Sequence, residues 1–233
     1  MKRIYCKGDF HGNFSGLKNF CARAETTTED ILIVLGDFGL NYTLKENDLW
    51  LKRALTKIPI TFLGVHGNHE ERPYNVPGYK LVPSPFGAGK VWFDERFPNQ
   101  FFFDDGEYTL GDKPALVIGG AYSVDKNYRL MSGNKWFESE QISSEMKAKL
   151  LQETAGKHYN YILTHTCPTN YIPRDMFLSV IKQEEVDRST EDFLQLIHDQ
   201  ITYDAWYCGH WHTDRIVDKV NFLFHDYKEM AYE

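Results

Sequence analysis

The sequence predicts an α/β fold. In its first third, short apolar runs alternate with segments whose apolar residues recur at helical spacing. The last third returns to the same alternation after a middle section rich in proline, glycine and aromatic residues. Because strands that alternate with helices pair in parallel through right-handed crossovers, neighbouring parallel strands are expected in the first third.

The first third is expected to form a β-α-β-α-β unit. The predicted elements are strands over residues 3–7, 31–35 and 60–65 and helices over residues 14–24 and 44–58. Pro59 ends the second of these helices because its ring cannot continue the helical backbone.

Fewer regular elements are expected between residues 71 and 160. The predicted elements there are short strands over 91–93, 101–103 and 115–118 and a helix over 139–153, which Gly156 ends. In the last third, the predicted elements are strands over 159–164, 205–208, 215–218 and 221–225 and a helix over 191–200.

Bulk composition indicates an ordinary soluble globular protein. The chain has 233 residues, of which 42% are hydrophobic and 25% charged, and one domain over residues 1–233 is the default expectation. A formal charge of −7 argues against non-specific binding to nucleic acid. The apolar runs are too short to span a bilayer, and Asp9 follows Met1 too closely for a signal peptide, so a cytoplasmic location is expected.

The four cysteines show no paired spacing, which favours reduced, buried thiols. Ligation of a metal by Cys167 or Cys208 is the alternative, because both lie beside candidate ligands.

Five short motifs carry the chemistry of this chain. In order, they are GDFHG at 8–12, GDFG at 36–39, GNHE at 67–70, LTHT at 163–166 and GHWH at 209–212. Asp9, Asp37 and Asn68 each follow the last apolar residue of a predicted strand. Ligands of parallel sheets gather at the carboxyl ends of the strands, so these side chains are expected at one edge.

The residue types of these motifs suit a pair of divalent metal ions. Asp9 and His11 are two positions apart, so in an extended segment both side chains can grip one ion, and the GHWH histidines share this spacing. Asp37 is the best candidate for a bridging carboxylate, and Asn68 supplies a neutral oxygen. Such a mixed set favours Mn²⁺, Fe²⁺ or Fe³⁺, Zn²⁺ or Ni²⁺ over Ca²⁺.

The ordered set of motifs resembles the calcineurin-like metallophosphoesterase superfamily and frames residues 8–212. The segment GGAYSVDKNYR at 119–129 is similar to small bacterial and phage members. The resemblance implies a two-sheet β-sandwich flanked by helices, in α/β/β/α layers. It also implies one metal held by Asp9, His11, Asp37 and His212, and a second held by Asp37, Asn68, His165 and His210.

By the same resemblance, His69 stands near the leaving group and is not a ligand. Two cations can share a hydroxide that attacks phosphorus directly. A histidine of ordinary pKa, roughly 6.5, is expected to be charged near neutral pH and to protonate the departing oxygen. The expected function is hydrolysis of phosphomonoesters or phosphodiesters.

Substrate contacts are predicted from Arg129, Arg72 and Asn68. The Ser/Thr protein phosphatase branch has arginines where this chain has GDFGLN and His66. Their absence argues against protein phosphatase activity. The same difference leaves His69 without an obvious carboxylate partner. His66 could touch phosphate or serve packing. Trp211 could stack on an aromatic group, although core packing is favoured.

Two other functions remain open. A nuclease or nucleotide pyrophosphatase would use the same site, but no aromatic and basic array marks a nucleic-acid groove. A non-catalytic scaffold on the same fold is the other, although scaffolds are expected to lose ligands that this chain keeps. The expected partner is a small phosphoester or nucleotide, with no membrane involved, and the oligomeric state is left open.

Overall fold

The computed structural model describes residues 3–230. Its helices are α1 (Leu17–Arg23), α2 (Glu46–Leu55), α3 (Lys126–Ser132), α4 (Ser144–Thr154) and α5 (Ser189–Gln200). Its strands are β1 (Ile4–Lys7), β2 (Ile31–Val34), β3 (Thr61–Gly64), β4 (Lys80–Pro83), β5 (Lys90–Phe93), β6 (Gln100–Phe103), β7 (Gly106–Leu110), β8 (Lys113–Ile118), β9 (His158–Thr164), β10 (Thr202–Cys208), β11 (Arg215–Val217), β12 (Val220–Phe222) and β13 (Lys228–Glu229).

The strands form two mixed sheets. The first sheet has the order β13-β1-β2-β3-β6-β5-β4, and the second has the order β11-β12-β10-β9-β8-β7. In the first sheet β1, β2, β3 and β6 are parallel, with Cys6 opposite Ile33 and Ile33 opposite Leu63. In the second sheet β8, β9, β10 and β12 are parallel. Antiparallel strands occur only towards the edges of each sheet in the described part of the chain.

Alternating side chains of the strands build the layers. Ile33 packs in a core shared by the two sheets, while its neighbours Leu32 and Val34 pack in a core with α1 and α2. On the second sheet, Leu163 joins the shared core and Ile162 packs with α4 and α5. This period of two is that of strands covered on both faces. The layers are therefore helix, sheet, sheet, helix, and the predicted α/β sandwich is confirmed.

Several elements differ from the sequence predictions. The helix predicted over 139–153 begins at Ser144, because the Ser143 hydroxyl accepts a hydrogen bond from Met146 N at 3.2 Å and caps it. The strand predicted over 221–225 ends at Phe222, since the Asp214 carboxylate accepts the backbone N–H groups of Phe224, at 2.8 Å, and of His225, at 2.9 Å. The strands β4, β7 and β13 and the helix α3 were not predicted.

None of the helices within residues 3–230 is long and apolar enough to cross a membrane.

Candidate metal centre

The five motifs meet at the carboxyl ends of strands from both sheets. Asp9, Asp37 and Asn68 follow β1, β2 and β3 of the first sheet. His165 and His210 follow β9 and β10 of the second. The structure brings together all of the predicted ligand side chains, which are Asp9, His11, Asp37, Asn68, His165, His210 and His212. The site therefore lies across the edge of the sandwich, where the two sheets face each other.

One group of donors is formed by Asp9, His11 and His212. The Nε2 atoms of the two imidazoles lie 3.0 Å apart. Asp9 Oδ2 lies 3.3 Å from His212 Nε2 and 3.6 Å from His11 Nε2. This oxygen is buried and has no hydrogen-bond partner within residues 3–230. A buried carboxylate oxygen without a partner fits a ligand whose metal would complete it.

The second group is formed around His165, which is fully buried. Its Nδ1 lies 2.7 Å from the carbonyl oxygen of Leu35, so Nδ1 must carry the proton. The other ring nitrogen, Nε2, lies 2.8 Å from Asn68 Oδ1. Asn68 Nδ2 donates to Ser123 Oγ at 2.9 Å. A bound metal ion would satisfy both atoms, and a histidine held by a carbonyl is typical of metal ligands.

Asp37 lies between the two groups. Its Oδ2 is 3.6 Å from His165 Nε2 and 3.8 Å from His11 Nδ1, while Oδ1 accepts from His69 N at 2.8 Å. Burial, together with the charge of Asp9, raises the pKa of Asp37 to about 7. Cations at the site would favour the carboxylate form instead, since the ligand form is the deprotonated one.

His210 completes the donor set. Its ring lies edge-on to that of His165, with 4.9 Å between the centroids. Burial and the neighbouring His165 lower the pKa of His210 to about 3. The imidazole is therefore neutral at pH 7, which is the form that binds a metal.

The backbone is strained at these ligands. His11, Asp37, His210 and His212 have φ values of 48°, 47°, 65° and 48°. Left-handed backbone at residues other than glycine costs ~1–3 kcal/mol each and is concentrated at functional sites. The neighbouring glycines permit the close approach of the loops, since a Cβ on Gly36 would lie 2.1 Å from His165 Nδ1 and one on Gly67 would lie 2.0 Å from Asp37 N.

Glu70 supports two of the ligand loops, although no sequence signal singled it out. Its carboxylate accepts the N–H groups of Gly67 at 3.2 Å, Gly39 at 3.3 Å and Phe38 at 3.4 Å. The side chain is buried and thus joins the loop that carries Asp37 to the loop that carries Asn68.

His69 has neighbours that change its expected role. Its Nδ1 is in contact with Arg129 Nη2, and its Nε2 lies 4.0 Å from Asp125 Oδ1. Asp125 and Arg129 also pair with each other, at 3.1 Å. Burial and the Arg129 charge lower the pKa of His69 to about 2. The expectation of a charged His69 near neutral pH is therefore wrong, and Asp125 is the carboxylate that sequence reasoning missed.

The three residues that are predicted to contact the substrate differ in how they lie relative to the donor cluster. Arg72 lies outside the donor cluster, where its Nη1 pairs with Asp105 at 2.8 Å and its Nε donates to Ser139 O. This ion pair engages the guanidinium outside the donor cluster, and a substrate role for Arg72 stays a prediction. Arg129 reaches the site through His69, and its side chain is 3% exposed. Asn68 borders the site, but its amide nitrogen is taken by Ser123.

His66 and the cysteines have packing roles, whereas Trp211 packs against the core and also borders a cavity beside the site. His66 is buried, with Nε2 3.1 Å from Ser139 O. Trp211 donates from Nε1 to Thr166 Oγ1 at 3.2 Å and packs against the core of the second sheet. The cysteines are free and buried, and burial raises the pKa of Cys167 and Cys208, which disfavours thiolate ligation.

Comparison with known proteins agrees with this site. The calcineurin-like phosphoesterase family matches residues 2–214. A comparison with curated proteins found no match. Among solved structures, the chain is similar to a protein of unknown function from Aquifex aeolicus, with 13% identity over 71% of this chain and 81% of that chain and a TM-score of 0.27. That likeness is too low to support a conclusion. Since the family match covers most of its length, the chain belongs to the calcineurin-like phosphoesterase family.

Proposed function

We propose that this protein hydrolyses phosphomonoesters or phosphodiesters at a centre of two divalent cations. Family membership implies metal-dependent phosphoester hydrolysis. The observation that carries the finer proposal is the approach of His165 Nε2 and Asn68 Oδ1 to 2.8 Å in the buried part of the donor cluster, where a cation would satisfy both atoms. A separate group around Asp9 supports a second ion, since its ligand atoms come from other side chains.

The donors divide into two sets that share Asp37. The first set would be Asp9, His11, Asp37 and His212, and the second would be Asp37, Asn68, His165 and His210. The position of Asp37 Oδ2 between His11 and His165 supports its role as the shared ligand. When bound, divalent cations supply Lewis-acid activation of water and neutralise the phosphoryl oxygens.

His69 is proposed to assist the leaving group as a neutral hydrogen-bond donor. Because its Nδ1 accepts from Arg129, the proton of the neutral ring is on Nε2. The oxygen of water forms the new bond to phosphorus and gives up a proton to solvent. The ester bond breaks with its electron pair on the departing oxygen, which takes a proton from solvent, so that one water is consumed. A donor at Nε2 would stabilise the charge that develops on that oxygen. Arg129 and Asp125 would hold the ring in place.

The proposal is tested by measuring metal content and hydrolysis of p-nitrophenyl phosphate and bis(p-nitrophenyl) phosphate, with added Mn²⁺ and with chelator. We expect metal-dependent release of p-nitrophenol from at least one ester. His165→Ala should lose metal and activity together, because its Nε2 is a proposed ligand atom. His158→Ala is the matched control, since His158 lies at the exposed start of the same strand β9. Protein that holds metal but hydrolyses neither ester would favour the scaffold function.

A further inference from the structure

A cavity of about 440 Å³ opens beside the metal-ligand cluster. Its polar end is formed by side chains of the site, among them Asp37, Asn68 and His69. The rest of its wall is mainly apolar and includes Val124, Ile172, Phe177, Leu178, Ile181 and Trp211. The volume falls within the ~300–1,000 Å³ of small-molecule sites, which are usually apolar with a few placed polar groups. The cavity therefore places an apolar binding surface next to the proposed metal ligands.

Part of this wall is aromatic. The rings of Phe177 and Trp211 lie 6.1 Å apart with only 33° between their planes. The guanidinium of Arg188 lies 5.9 Å from the Phe177 ring, and its Nη2 donates to Gln183 Oε1 at 3.1 Å, which restrains it. Aromatic rings and guanidinium groups attract other planar rings by stacking and cation–π contact. The wall thus suits a planar aromatic group.

The segment between β9 and α5 leaves apolar surface uncovered at this cavity. Leu178 is 60% exposed, and Phe177 and Ile181 are half-buried. A group of incompletely covered apolar side chains next to polar catalytic residues is typical of a ligand-binding surface. An occupant with an aromatic part would cover it, while its phosphate would lie at the polar end.

We infer that the substrate is a small phosphoester whose esterified group is aromatic and apolar. This inference rests on the proposed function, because the cation centre is what would hold the phosphate. The cavity walls bind the aromatic group, and hydrolysis releases it as the corresponding alcohol. The aromatic wall distinguishes such a substrate from an alkyl phosphate, which would leave the rings uncovered.

The test compares the binding of phenylphosphonate and methylphosphonate to protein loaded with Mn²⁺, by isothermal titration calorimetry. Both compounds carry a P–C bond in place of the ester bond, so affinity is measured without turnover. We expect phenylphosphonate to bind about tenfold more tightly, as burial of a ring predicts. Equal affinities, or no binding of either compound, would overturn the inference.

Variants of the cavity wall test whether its side chains cause the preference for phenylphosphonate. In Phe177→Ala and Ile181→Ala the phenyl preference should fall to about threefold or less, because each variant removes apolar contact area. Val180→Ala is the matched control, since Val180 belongs to the same segment but is 84% exposed and does not border the cavity. A preference that both wall variants retain in full would contradict the inference.

Turnover separates this inference from the proposed function. If the protein binds phenylphosphonate more tightly than methylphosphonate but hydrolyses no ester, the proposed function is refuted and the inference of an aromatic pocket stands. Protein that hydrolyses esters but binds both phosphonates equally would refute the pocket alone.

Discussion

His11 and His212 are 201 positions apart in the chain, and their Nε2 atoms lie 3.0 Å from each other. The same two atoms approach Asp9 Oδ2, at 3.6 Å and 3.3 Å. Two imidazole nitrogens and a carboxylate oxygen directed at one another can be satisfied by shared protons or by a cation. The family of this chain binds divalent metals, and a cation satisfies all of these atoms at once.

Metal binding should therefore stabilise the fold. A cation that binds the folded chain at one hundred times its Kd contributes about 2.7 kcal/mol. For a protein of this size, that corresponds to a rise in Tm of roughly 5–10 °C. Differential scanning fluorimetry with added Mn²⁺ and with chelator measures the shift. His212→Ala should lose most of it, whereas His225→Ala, an exposed neighbour outside the donor set, should keep it. An unchanged shift in His212→Ala would count against ligation by this residue.

Glu70 should control metal affinity without binding metal itself. Replacement by alanine leaves the N–H groups of Phe38, Gly39 and Gly67 without their acceptor and loosens both ligand loops. We expect metal affinity to fall by about 10–100-fold, as for other residues that orient ligands. Titration with a competing chelator measures it. Glu46→Gln, a change at a 76% exposed side chain, is the control, and wild-type affinity in Glu70→Ala would show that the loops hold without it.

His69→Asn should lower turnover by about 10²–10³-fold, which is the usual contribution of a hydrogen-bond donor to the charge that develops in the transition state. Metal content should stay at the wild-type level, because His69 is proposed as a leaving-group donor. Steady-state kinetics and metal analysis of the same samples test both expectations. Loss of metal in this variant would make His69 a ligand, and it lies close enough to His11 and Asp37 for that result to be informative.

Arg129→Met should raise the pKa of His69 in the metal-free protein. Burial is the larger cause of the low pKa, and the Arg129 charge is the next, so removal of the charge moves the pKa upward without restoring its ordinary value. NMR titration of the histidine ring signals measures this directly. Arg53→Met, at a 60% exposed side chain paired with Glu46, should leave the His69 titration unchanged. The same pKa in Arg129→Met and wild type would contradict the contact.

Asp30 should contribute to stability above about pH 4 and lose that contribution in acid. Although burial favours the neutral acid, hydrogen bonds from Arg3 and from Thr27 N hold the pKa of Asp30 at about 2. A folded pKa below the unfolded value, ~3.9, means that the contribution is complete above the unfolded pKa and disappears as the pH falls towards 2.

Asp30→Asn should therefore lower Tm at pH 7 by about 2–4 °C. The difference from wild type should shrink between pH 4 and pH 2, as measured by thermal unfolding across this range. A difference that stays constant with pH would show that the charge of Asp30 is not what stabilises the fold.

The parts of the fold predicted from sequence are those with strong local patterns. The strands β1, β2 and β3 are continuous apolar runs because both of their faces are covered, and their positions were predicted within a residue or so. β4 was missed because it is an exposed edge strand with polar and apolar residues mixed. α3 was missed because its exposed apolar residues, Leu130 and Met131, do not form a core-facing stripe.

The sequence by itself determined the alternation of strands and helices and the motifs at the strand ends, which are local features of the chain. The two-sheet layers and the full set of proposed metal ligands followed from the resemblance that these motifs carry. Only the tertiary structure decided what surrounds them. Packing of the two sheets brings Asp125 and Arg129 to His69, turns Arg72 towards Asp105 and places an aromatic wall beside the site. These contacts join segments far apart in the chain, and the burial that lowers the pKa of His69 exists only once those segments are packed together.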